Sequence, residues 1–315
     1  MATYRNISLI YNLSAGKLRG RRGGLLGRVL DTLRAAGHQV SPAPTPGPGA
    51  AGRLAREAID KGADLILALG GDGTVNELLP GVVHSSVPLA LIPAGTANVL
   101  AHELGIGTNA VKAAARLGEL EARRISIGLL RHEPGAQERY FLSMAGVGFD
   151  AHIVYRLNLR VKSKWGELAY WTAGLRELGR RLEQIDARVG EQSFVCSFAL
   201  VSRVRNYGGY FEIARHVSLP HDDFEMVLFD GRTTLPSYAK YLAAIVSKKA
   251  SNTKGMSFLR GGKASFSGLP DERVYVQVDG EYAGRLPASV EIVPQALTIL
   301  APPEYWSRWT HSPTR

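Results

Sequence analysis

Short apolar runs alternate with amphipathic stretches through the first third of the chain. Residues 6–12, 64–69 and 88–92 are apolar runs of the length of buried strands, and residues 26–33 and 54–59 carry apolar side chains three or four positions apart. The proline-rich residues 42–48 are interpreted as a connection between the two helices. Alternating strands and helices predict a parallel sheet covered by helices on both faces.

The pattern changes after about residue 123. Strand-like runs follow one another, separated by Gly, Pro and Asp, which is typical of a mostly antiparallel domain. These runs are residues 125–130, 140–144, 194–201, 225–229, 273–278, 289–293 and 297–300. One helical insertion, residues 168–182, interrupts them. The pattern therefore predicts a first domain at residues 1–124, a β-rich second domain at residues 125–302 and a partly ordered tail at residues 303–315.

Composition narrows the function classes only slightly. The 315 residues have a formal net charge of +10, which favours an anionic partner such as a phosphorylated ligand, an anionic membrane surface or a nucleic acid. No run approaches the roughly 20 apolar residues of a membrane span, so membrane contact is expected to be peripheral. The single cysteine, Cys196, excludes a disulfide framework, favours a reducing compartment and is interpreted as a core residue.

The most informative stretch is the glycine turn at residues 70–77, Gly-Gly-Asp-Gly-Thr-Val-Asn-Glu. Three glycines directly after a buried strand allow backbone N–H groups to approach an anion, and the start of the next helix adds a favourable dipole. The carboxylate of Asp72 does not attract phosphate. It is assigned to a metal ion or to orienting an acceptor hydroxyl, with helix capping as the alternative.

Two further polar loops follow predicted strands. Asn12 comes directly after the first strand, and Pro-Ala-Gly-Thr-Ala-Asn at residues 93–98 follows the third. Because ligands of parallel sheets bind beyond the carboxyl ends of the strands, the three loops are expected to converge on one crevice.

These motifs together resemble the diacylglycerol kinase catalytic domain family, which includes bacterial lipid kinases, sphingosine kinases and ceramide kinases. Residues 12–17, Asn-Leu-Ser-Ala-Gly-Lys, are similar to the first loop of the family, although Leu13 stands where proline is common. Residues 70–77 and 93–98 are similar to its two phosphate loops. Asn-Tyr-Gly-Gly at residues 206–209 and Val-Asp-Gly-Glu at residues 278–281 resemble motifs of its second domain. The five matches occur in the family's order over nearly the whole chain.

The resemblance implies a fold that is α/β plus all-β. A nucleotide-binding domain like those of NAD kinases and phosphofructokinases precedes an antiparallel β-sandwich, with the active site in the cleft between them. It implies transfer of the ATP γ-phosphoryl group to a lipid hydroxyl with Mg²⁺ as cofactor. The residues that the resemblance places at the nucleotide are Asn12, Lys17, Thr45, Gly70, Gly71, Asp72, Gly73, Thr74, Val75, Asn76, Glu77, Gly95, Thr96 and Asn98.

Several of these positions have a plainer interpretation. Thr74 is equally suited to be a helix N-cap, and Thr45 to be a solvent-exposed loop residue. Lys17 is one of 38 basic residues, and only its motif distinguishes it from a surface lysine.

The second domain supplies the remaining candidate residues. The resemblance assigns Glu281 as the general base that accepts the proton of the lipid hydroxyl, with Asp279 beside it and Asp72 as the third catalytic candidate. Asp-Gly is also the commonest signal of a plain β-hairpin. Leu219, Asp222 and Asp223 resemble a family loop that holds a structural Mg²⁺ through oxygen ligands. Phe224, however, replaces the glycine that commonly follows the two aspartates.

Other interpretations stay open. An NAD kinase shares the glycine turn, a non-catalytic nucleotide or lipid sensor would keep the binding loops, and nucleic-acid binding has no motif to support it. Basic residues 156–164, followed by Trp165 and Trp171, fit either an anionic bilayer or an ordinary amphipathic helix. A cytoplasmic protein peripheral to the inner membrane face is expected. The sequence does not tell which lipid is the acceptor, and the oligomeric state is left open with a homodimer among the options.

Overall fold

A computed structural model describes residues 4–13, 16–18, 24–132, 138–148, 183–207, 211–230, 240–269 except 242, 246 and 248, and 273–310. The chain divides into two compact units. The first contains Met1–Ser126 and Pro294–Arg315, and the second contains Ile127–Val293. Within the described ranges, no helix is both long and apolar enough to cross a membrane.

The first unit is built on a parallel sheet. Its strands are β1 (Asn6–Tyr11), β2 (Gln39–Pro44), β3 (Leu65–Gly70) and β4 (Leu89–Pro93), in the order β2-β1-β3-β4. Every residue of β3 and β4 is buried, which explains their uninterrupted apolar sequences. The helices are α1 (Gly24–Ala35), α2 (Ala51–Asp60), α3 (Asp72–Val82), α4 (Val99–Glu103) and α5 (Ala110–Ala115).

Strand β2 corrects the interpretation of residues 42–48 as a connection only. Pro42 and Pro44 belong to this strand, which pairs in parallel with β1 from Asn6 opposite Gln39 to Tyr11 opposite Pro44. Proline lacks the N–H that a central strand needs, but β2 lies at the edge of the sheet and pairs on one side only. The edge position therefore explains why a proline-rich sequence forms a strand here.

The end of the chain returns to the first unit. Strand β17 (Ala288–Ala301) leaves the second unit and pairs in parallel with β4, Ile299 opposite Leu89. Residues 294–302 thus lie in the first unit, whereas the sequence pattern places them in the second domain. The pattern identifies a strand there but contains no information about its partner.

Residues after Pro302 form a helix, α6 (Pro303–Thr310), instead of the partly ordered tail that the sequence predicts. Trp306 is fully buried and donates its Nε1–H to Glu121 O at 3.1 Å, and the Arg123 guanidinium lies 5.3 Å from the centre of its ring. Burial of a large aromatic side chain with a satisfied N–H explains why this segment is held against the first unit.

The second unit is antiparallel. Its strands begin with β5 (Glu121–His132), which enters from the first unit, and continue with β6 (Arg139–Phe141), β7 (Met144–Gly148), β8 (Ile185–Val189), β9 (Gln192–Ser202), β10 (Asn206–Tyr207), β11 (Phe211–Glu212), β12 (Phe224–Asp230), β13 (Met256–Gly261), β14 (Lys263–Gly268), β15 (Tyr275–Val278) and β16 (Glu281–Arg285). The first half of β9 pairs with β8, and its second half pairs with β7 and β12.

The core of the second unit lies between these strands. Phe224 is completely buried and stacks on Phe141 with ring centres 5.7 Å apart. Cys196 is in the same core, where burial raises the pKa of its thiol to about 12, so its interpretation as a core residue is confirmed. The predicted helical insertion at residues 168–182 and the basic stretch at residues 156–164 lie outside the described residues.

Candidate active site

The loops that bear the sequence motifs follow neighbouring strand ends of the first unit. In the sheet register, Tyr11 is opposite both Pro44 and Leu69, and Gly70 is opposite Pro93. Asn12, Thr45, Gly71 and Ala94, the residues that come next, therefore start from the same edge of the sheet. Thr45 N donates to Tyr11 O at 2.9 Å, and Ala94 N donates to Gly70 O at 2.8 Å, which continues the ladder to the loops. The prediction of convergent loops is confirmed within this unit.

Two of the loops touch through glycines. A Cβ on Gly95 would lie 2.4 Å from Gly71 Cα, and a Cβ on Gly71 would lie 2.9 Å from Gly95 Cα. No side chain fits between the two backbones at this point. Gly16, from the first loop, packs against the same place, since its Cβ would lie 3.5 Å from Thr96 Oγ1. The three loops therefore form one continuous backbone surface.

The glycine turn ends at the start of α3. Gly71 is the N-cap residue and has no capping side chain, and its carbonyl oxygen accepts from Thr74 N at 3.0 Å. Thr74 is not the N-cap but lies inside α3, where it is 8 % exposed and packs over Gly70. The start of α3 places the positive end of the helix dipole beside the glycine turn, which suits an anion such as phosphate.

The other predicted nucleotide residues of α3 differ in exposure. Val75 and Asn76 are buried, while Gly73 and Glu77 are half-buried. In the second phosphate loop, Thr96 is exposed, so its hydroxyl is the most accessible polar group of that loop. Lys17 lies in a single 3₁₀ turn at Gly16–Leu18, and its side chain lies outside the described part of the chain.

Asp72 joins the two phosphate loops. Its Oδ2 accepts from Val99 N and its Oδ1 from Leu100 N, both at 3.1 Å, so its carboxylate caps α4 rather than its own helix. Burial raises the pKa of Asp72, and this outweighs the backbone N–H groups of Leu100, Val99 and Asp72 itself and the charge of His102, which act to lower it. The capping alternative is what the structure shows. The assignment of Asp72 to a metal ion stays a prediction.

Asn98 closes its own loop. Its Oδ1 accepts from Gly95 N at 2.9 Å, and its Nδ2 donates to Gly95 O at 3.0 Å. Its backbone has φ of 47°, a left-handed conformation that asparagine tolerates better than most residues. The buried side chain holds Gly95 in place for the contact with Gly71. Direct contact of Asn98 with a nucleotide, expected from the motif, stays a prediction.

In the second unit, Asp279 and Gly280 form the turn between β15 and β16. Both have positive φ, 48° and 82°, as a type I′ hairpin turn requires. Asp279 Oδ1 accepts from Ser143 N at 2.8 Å and Met144 N at 2.9 Å, and its Oδ2 accepts from Leu142 N at 3.0 Å. Three backbone donors therefore tie this hairpin to the start of β7.

Glu281 follows this turn as the first residue of β16 and is exposed. The turn before it is fixed from both sides, because Gly280 N also donates to Oε1 of the buried Gln277 at 2.8 Å. Of the three catalytic candidates, Asp72 and Asp279 accept backbone N–H hydrogen bonds with both carboxylate oxygens, and Glu281 is an exposed residue next to a well-anchored turn.

The predicted metal ligands Leu219, Asp222 and Asp223 lie in the loop before β12. Leu219 O accepts a hydrogen bond from the buried Arg203, and Asp223 Oδ2 accepts from Arg260 Nε at 2.8 Å. Asp222 is exposed. Within the described ranges, no group of three or more His, Cys, Asp or Glu side chains could hold a metal ion.

Sequence reasoning missed two residues of these sites. Arg203 is one of 38 basic residues, and the only signal for it is its position directly after the apolar strand β9. Gln277 lies inside β15 at a position where an apolar residue is expected, two residues before the Asp-Gly turn. A polar residue in a buried strand position next to a motif is a usable, though weak, signal.

Comparisons with known proteins agree with the motifs. Residues 6–130 match the diacylglycerol kinase catalytic domain, and residues 143–301 match the YegS C-terminal NAD kinase beta sandwich-like domain. A diacylglycerol kinase of Mycobacterium tuberculosis is 32% identical over 263 residues, covering 79% of this chain and 80% of that protein. A diacylglycerol kinase of Bacillus subtilis is 27% identical over 302 residues, covering 94% and 96%.

Solved structures are similar in fold. The crystal structure of a diacylglycerol kinase from Bacillus anthracis superposes with a TM-score of 0.75 and 22% identity, covering 96% of this chain and 99% of that chain. The predicted fold class, a nucleotide-binding α/β domain followed by an antiparallel β-sandwich, is confirmed. Taken with the two matched domains and the relatives in Mycobacterium and Bacillus, these findings show that the chain belongs to the diacylglycerol kinase catalytic domain family.

Proposed function

We propose that this protein is an ATP-dependent lipid kinase that transfers the γ-phosphoryl group of ATP to a hydroxyl group of a diacylglycerol-like membrane lipid. The observation that carries the proposal is the convergence of the loops after β1, β2, β3 and β4 on one sheet edge, at the start of α3. Relatives named diacylglycerol kinase make a lipid hydroxyl the first acceptor to test.

The first unit supplies the groups that phosphoryl transfer requires most, which are positioning and charge neutralisation. The start of α3 is suited to phosphate oxygens through the Gly73 N–H and the positive end of the helix dipole, and the exposed Thr96 adds a hydroxyl. Mg²⁺ enters bound to ATP, as part of the substrate, and neutralises phosphate charge. Asp72 holds α4 and thereby fixes the distance between the two phosphate loops.

The second unit supplies the base. Glu281 is the exposed carboxylate of the Asp279-Gly280 turn, and it accepts the proton of the lipid hydroxyl as the bond between oxygen and phosphorus forms. An alcohol is a weak acid, so the carboxylate is useful only while that bond is forming. Asp279 acts on the reaction through Glu281, because its three backbone hydrogen bonds hold the turn in place.

The lipid acceptor requires the protein to work at a membrane surface. The net charge of +10 favours the anionic inner leaflet, and attraction of basic residues to such a surface is worth about 1 kcal/mol per residue. A peripheral, cytoplasmic location at the inner membrane face is therefore part of the proposal.

The direct test is transfer of radiolabel from γ-labelled ATP in the presence of MgCl₂. The full chain is incubated with vesicles of phosphatidylglycerol that contain 5 to 10 mol% diacylglycerol, and separately with soluble NAD. We expect label in phosphatidic acid and none in NADP. A second reaction with total bacterial lipid, analysed by mass spectrometry for a product heavier by one phosphate, identifies any other acceptor.

The possible outcomes separate the alternatives. Label only in NADP would replace the proposal with an NAD kinase. Binding of ATP without label in any lipid or in NAD would indicate a non-catalytic nucleotide sensor. Label in a lipid other than diacylglycerol would retain the lipid kinase and change the acceptor. The Glu281→Gln variant is the control, because it is expected to bind ATP and transfer no measurable label.

A further inference from the structure

Arg203 is a charged side chain without any exposed surface. It follows β9 directly, and it is one of the largest fully buried side chains among the described residues. Its backbone N donates to Ser143 O at 2.8 Å, which fixes its main chain. Arginine does not lose its proton inside a protein, so a guanidinium in this position needs acceptors to offset the loss of water. Its two terminal nitrogens have such acceptors, whereas the buried Nε atom has none among the described residues.

Three acceptors of Arg203 are carbonyl oxygens of one loop, Ser218–Asp223. Arg203 Nη2 donates to Leu219 O at 2.8 Å, and Nη1 donates to Asp223 O at 2.9 Å and to His221 O. The loop turns tightly around the guanidinium, with His221 N donating to Ser218 O at 3.0 Å. The Arg203 guanidinium therefore donates to three carbonyl oxygens within five consecutive residues.

This loop is the one that family resemblance assigns to a structural Mg²⁺. Mg²⁺ needs six oxygen ligands in octahedral geometry at roughly 2.0–2.1 Å. Leu219 O, a predicted ligand, already accepts from the guanidinium. Asp223 Oδ2 accepts from Arg260 Nε at 2.8 Å and from Arg260 Nη2 at 2.7 Å, while Asp223 Oδ1 is buried and has no hydrogen-bond partner among the described residues.

The charges around the loop also disfavour a divalent ion. A Mg²⁺ ion at these oxygens would lie beside the Arg203 guanidinium, and the carboxylate of Asp223 is already paired with a second guanidinium, that of Arg260. Phe224, which replaces the common glycine, is fully buried against Phe141 and adds no oxygen ligand from its side chain. Leu219 O and Asp223 Oδ2 already accept from guanidinium groups, and the buried Asp223 Oδ1 alone does not supply the octahedral oxygen set that Mg²⁺ requires, so the residues present do not fit the metal that the family resemblance implies.

We propose that Arg203 is a built-in cation that organises the loop Ser218–Asp223 in place of a divalent metal ion. The guanidinium supplies the positive charge and the directed donors to the carbonyl oxygens that a bound Mg²⁺ would otherwise satisfy. The order of this loop is therefore independent of Mg²⁺. The proposal concerns only the second unit and does not depend on the identity of the substrate.

The first experiment measures thermal unfolding of the full, nucleotide-free chain after removal of metals with EDTA and dialysis. MgCl₂ is then added to 10 mM, with NaCl of equal ionic strength as the reference. We expect the Tm of the wild-type protein to change by less than about 1 °C. A metal site in this loop with a Kd of about 0.1 mM would raise the Tm by about 4 °C at this concentration.

Two carboxylate variants assign any effect that appears. Asp222→Asn and Asp223→Asn remove the side-chain ligands of the predicted metal site. A Mg²⁺-dependent rise in Tm that is present in the wild-type protein and lost in either variant would overturn the proposal. Electron paramagnetic resonance counts the Mn²⁺ ions bound to the folded protein and so tests the same point without unfolding. The wild-type protein and both variants should bind the same number of ions.

Substitution of the arginine tests the cation itself. Arg203→Met keeps much of the side-chain volume and removes the charge, so three carbonyl oxygens lose their donors. We expect its Tm to fall by about 5–10 °C. Arg188→Met, at an exposed position of β8 in the same unit, is the matched control and should leave the Tm unchanged. An Arg203→Met protein as stable as the control would overturn the proposal. If the variant does not fold, the Mg²⁺ titration of the wild-type chain still tests whether the loop depends on a metal ion.

Discussion

Asp72 in the first unit and Asp279 in the second both accept hydrogen bonds from backbone N–H groups through their carboxylate oxygens. The functional groups next to the two aspartates differ. Asp72 accepts two donors from α4, and its neighbours are the N–H groups at the start of α3. Asp279 accepts three donors from the residues before and at the start of β7, and its neighbour is the exposed carboxylate of Glu281. The first region presents hydrogen-bond donors, and the second presents an acceptor.

This difference matches the two tasks in phosphoryl transfer. Donors are needed where phosphate charge is held, and an acceptor is needed where a proton leaves the attacking hydroxyl. In both regions an aspartate of the motif accepts hydrogen bonds from the backbone of another segment. Under the proposed function, Asp72 and Asp279 are therefore positioning residues, and the groups adjacent to them take part in the reaction. We therefore expect substitutions in the second region to lower kcat and substitutions in the first region to weaken ATP binding.

The largest effect is expected from Glu281→Gln. Loss of a general base costs about 10²–10⁴ in rate, so kcat should fall by about 10³ while the Kd for an ATP analogue stays within twofold. Steady-state kinetics and calorimetry measure the two quantities. Glu191→Gln, at an exposed turn of the same unit, is the matched control and should keep both values. A Glu281→Gln enzyme with more than a tenth of the wild-type kcat would end the assignment of the base.

Gly95→Ala should give the opposite signature. The new Cβ would lie 2.4 Å from Gly71 Cα and 2.9 Å from Asn98 Oδ1, so the two phosphate loops must move apart. Misplacement of about 1 Å costs roughly 10²-fold, and here we expect the loss mainly in ATP affinity. Gly47→Ala is the control, because its Cβ would meet nothing within 4 Å. Unchanged ATP binding in Gly95→Ala would show that the contact between the loops is not part of the nucleotide site.

Asp279→Asn and Asp72→Asn compare the two aspartates directly. An asparagine replaces one acceptor oxygen with a donor that faces backbone N–H groups. Three donors at Asp279 predict a loss of about 3 kcal/mol in unfolding free energy, and two donors at the desolvated Asp72 predict about 1.5 kcal/mol. Chemical denaturation measures both. We also expect Asp279→Asn to lower kcat and Asp72→Asn to weaken ATP binding. The same kinetic defect in both variants would contradict the division of tasks.

The strands and loops of the first unit could be predicted because their signals are local. β1, β3 and β4 are short apolar runs, and in a parallel sheet the residue after each strand lies at a known edge. β2 was missed because prolines argue against a strand unless it is known to lie at the edge of the sheet. The pairing of β17 with β4 could not be predicted, because an apolar run does not specify its partner strand.

The roles of the polar residues depend on contacts between distant parts of the chain. Asp72 meets Val99 N across 27 positions, Asp279 meets Leu142 N across 137, and Arg203 meets Leu219 O across 16. The Asp-Gly pair at residues 279 and 280 indicated the turn that the structure contains, but the sequence did not show which oxygen atoms already had partners. Nor could sequence alone show that a guanidinium occupies the oxygens of the predicted metal loop.

The smallest expected effect is a pH dependence that is specific to Asp72. Burial raises the pKa of this carboxyl in the folded protein, so folding favours its protonated form. The contribution of Asp72 to stability is therefore fully present below its unfolded-state pKa and declines as the pH rises through its folded-state pKa. Asparagine does not titrate, so the difference in unfolding free energy between the wild-type protein and Asp72→Asn should be larger near pH 4 than at pH 7. Urea unfolding of both proteins at the two pH values measures this difference. A difference that grows towards pH 7 would mean that the backbone donors from α4 stabilise the charged carboxylate more than burial destabilises it, and it would contradict the raised pKa of Asp72.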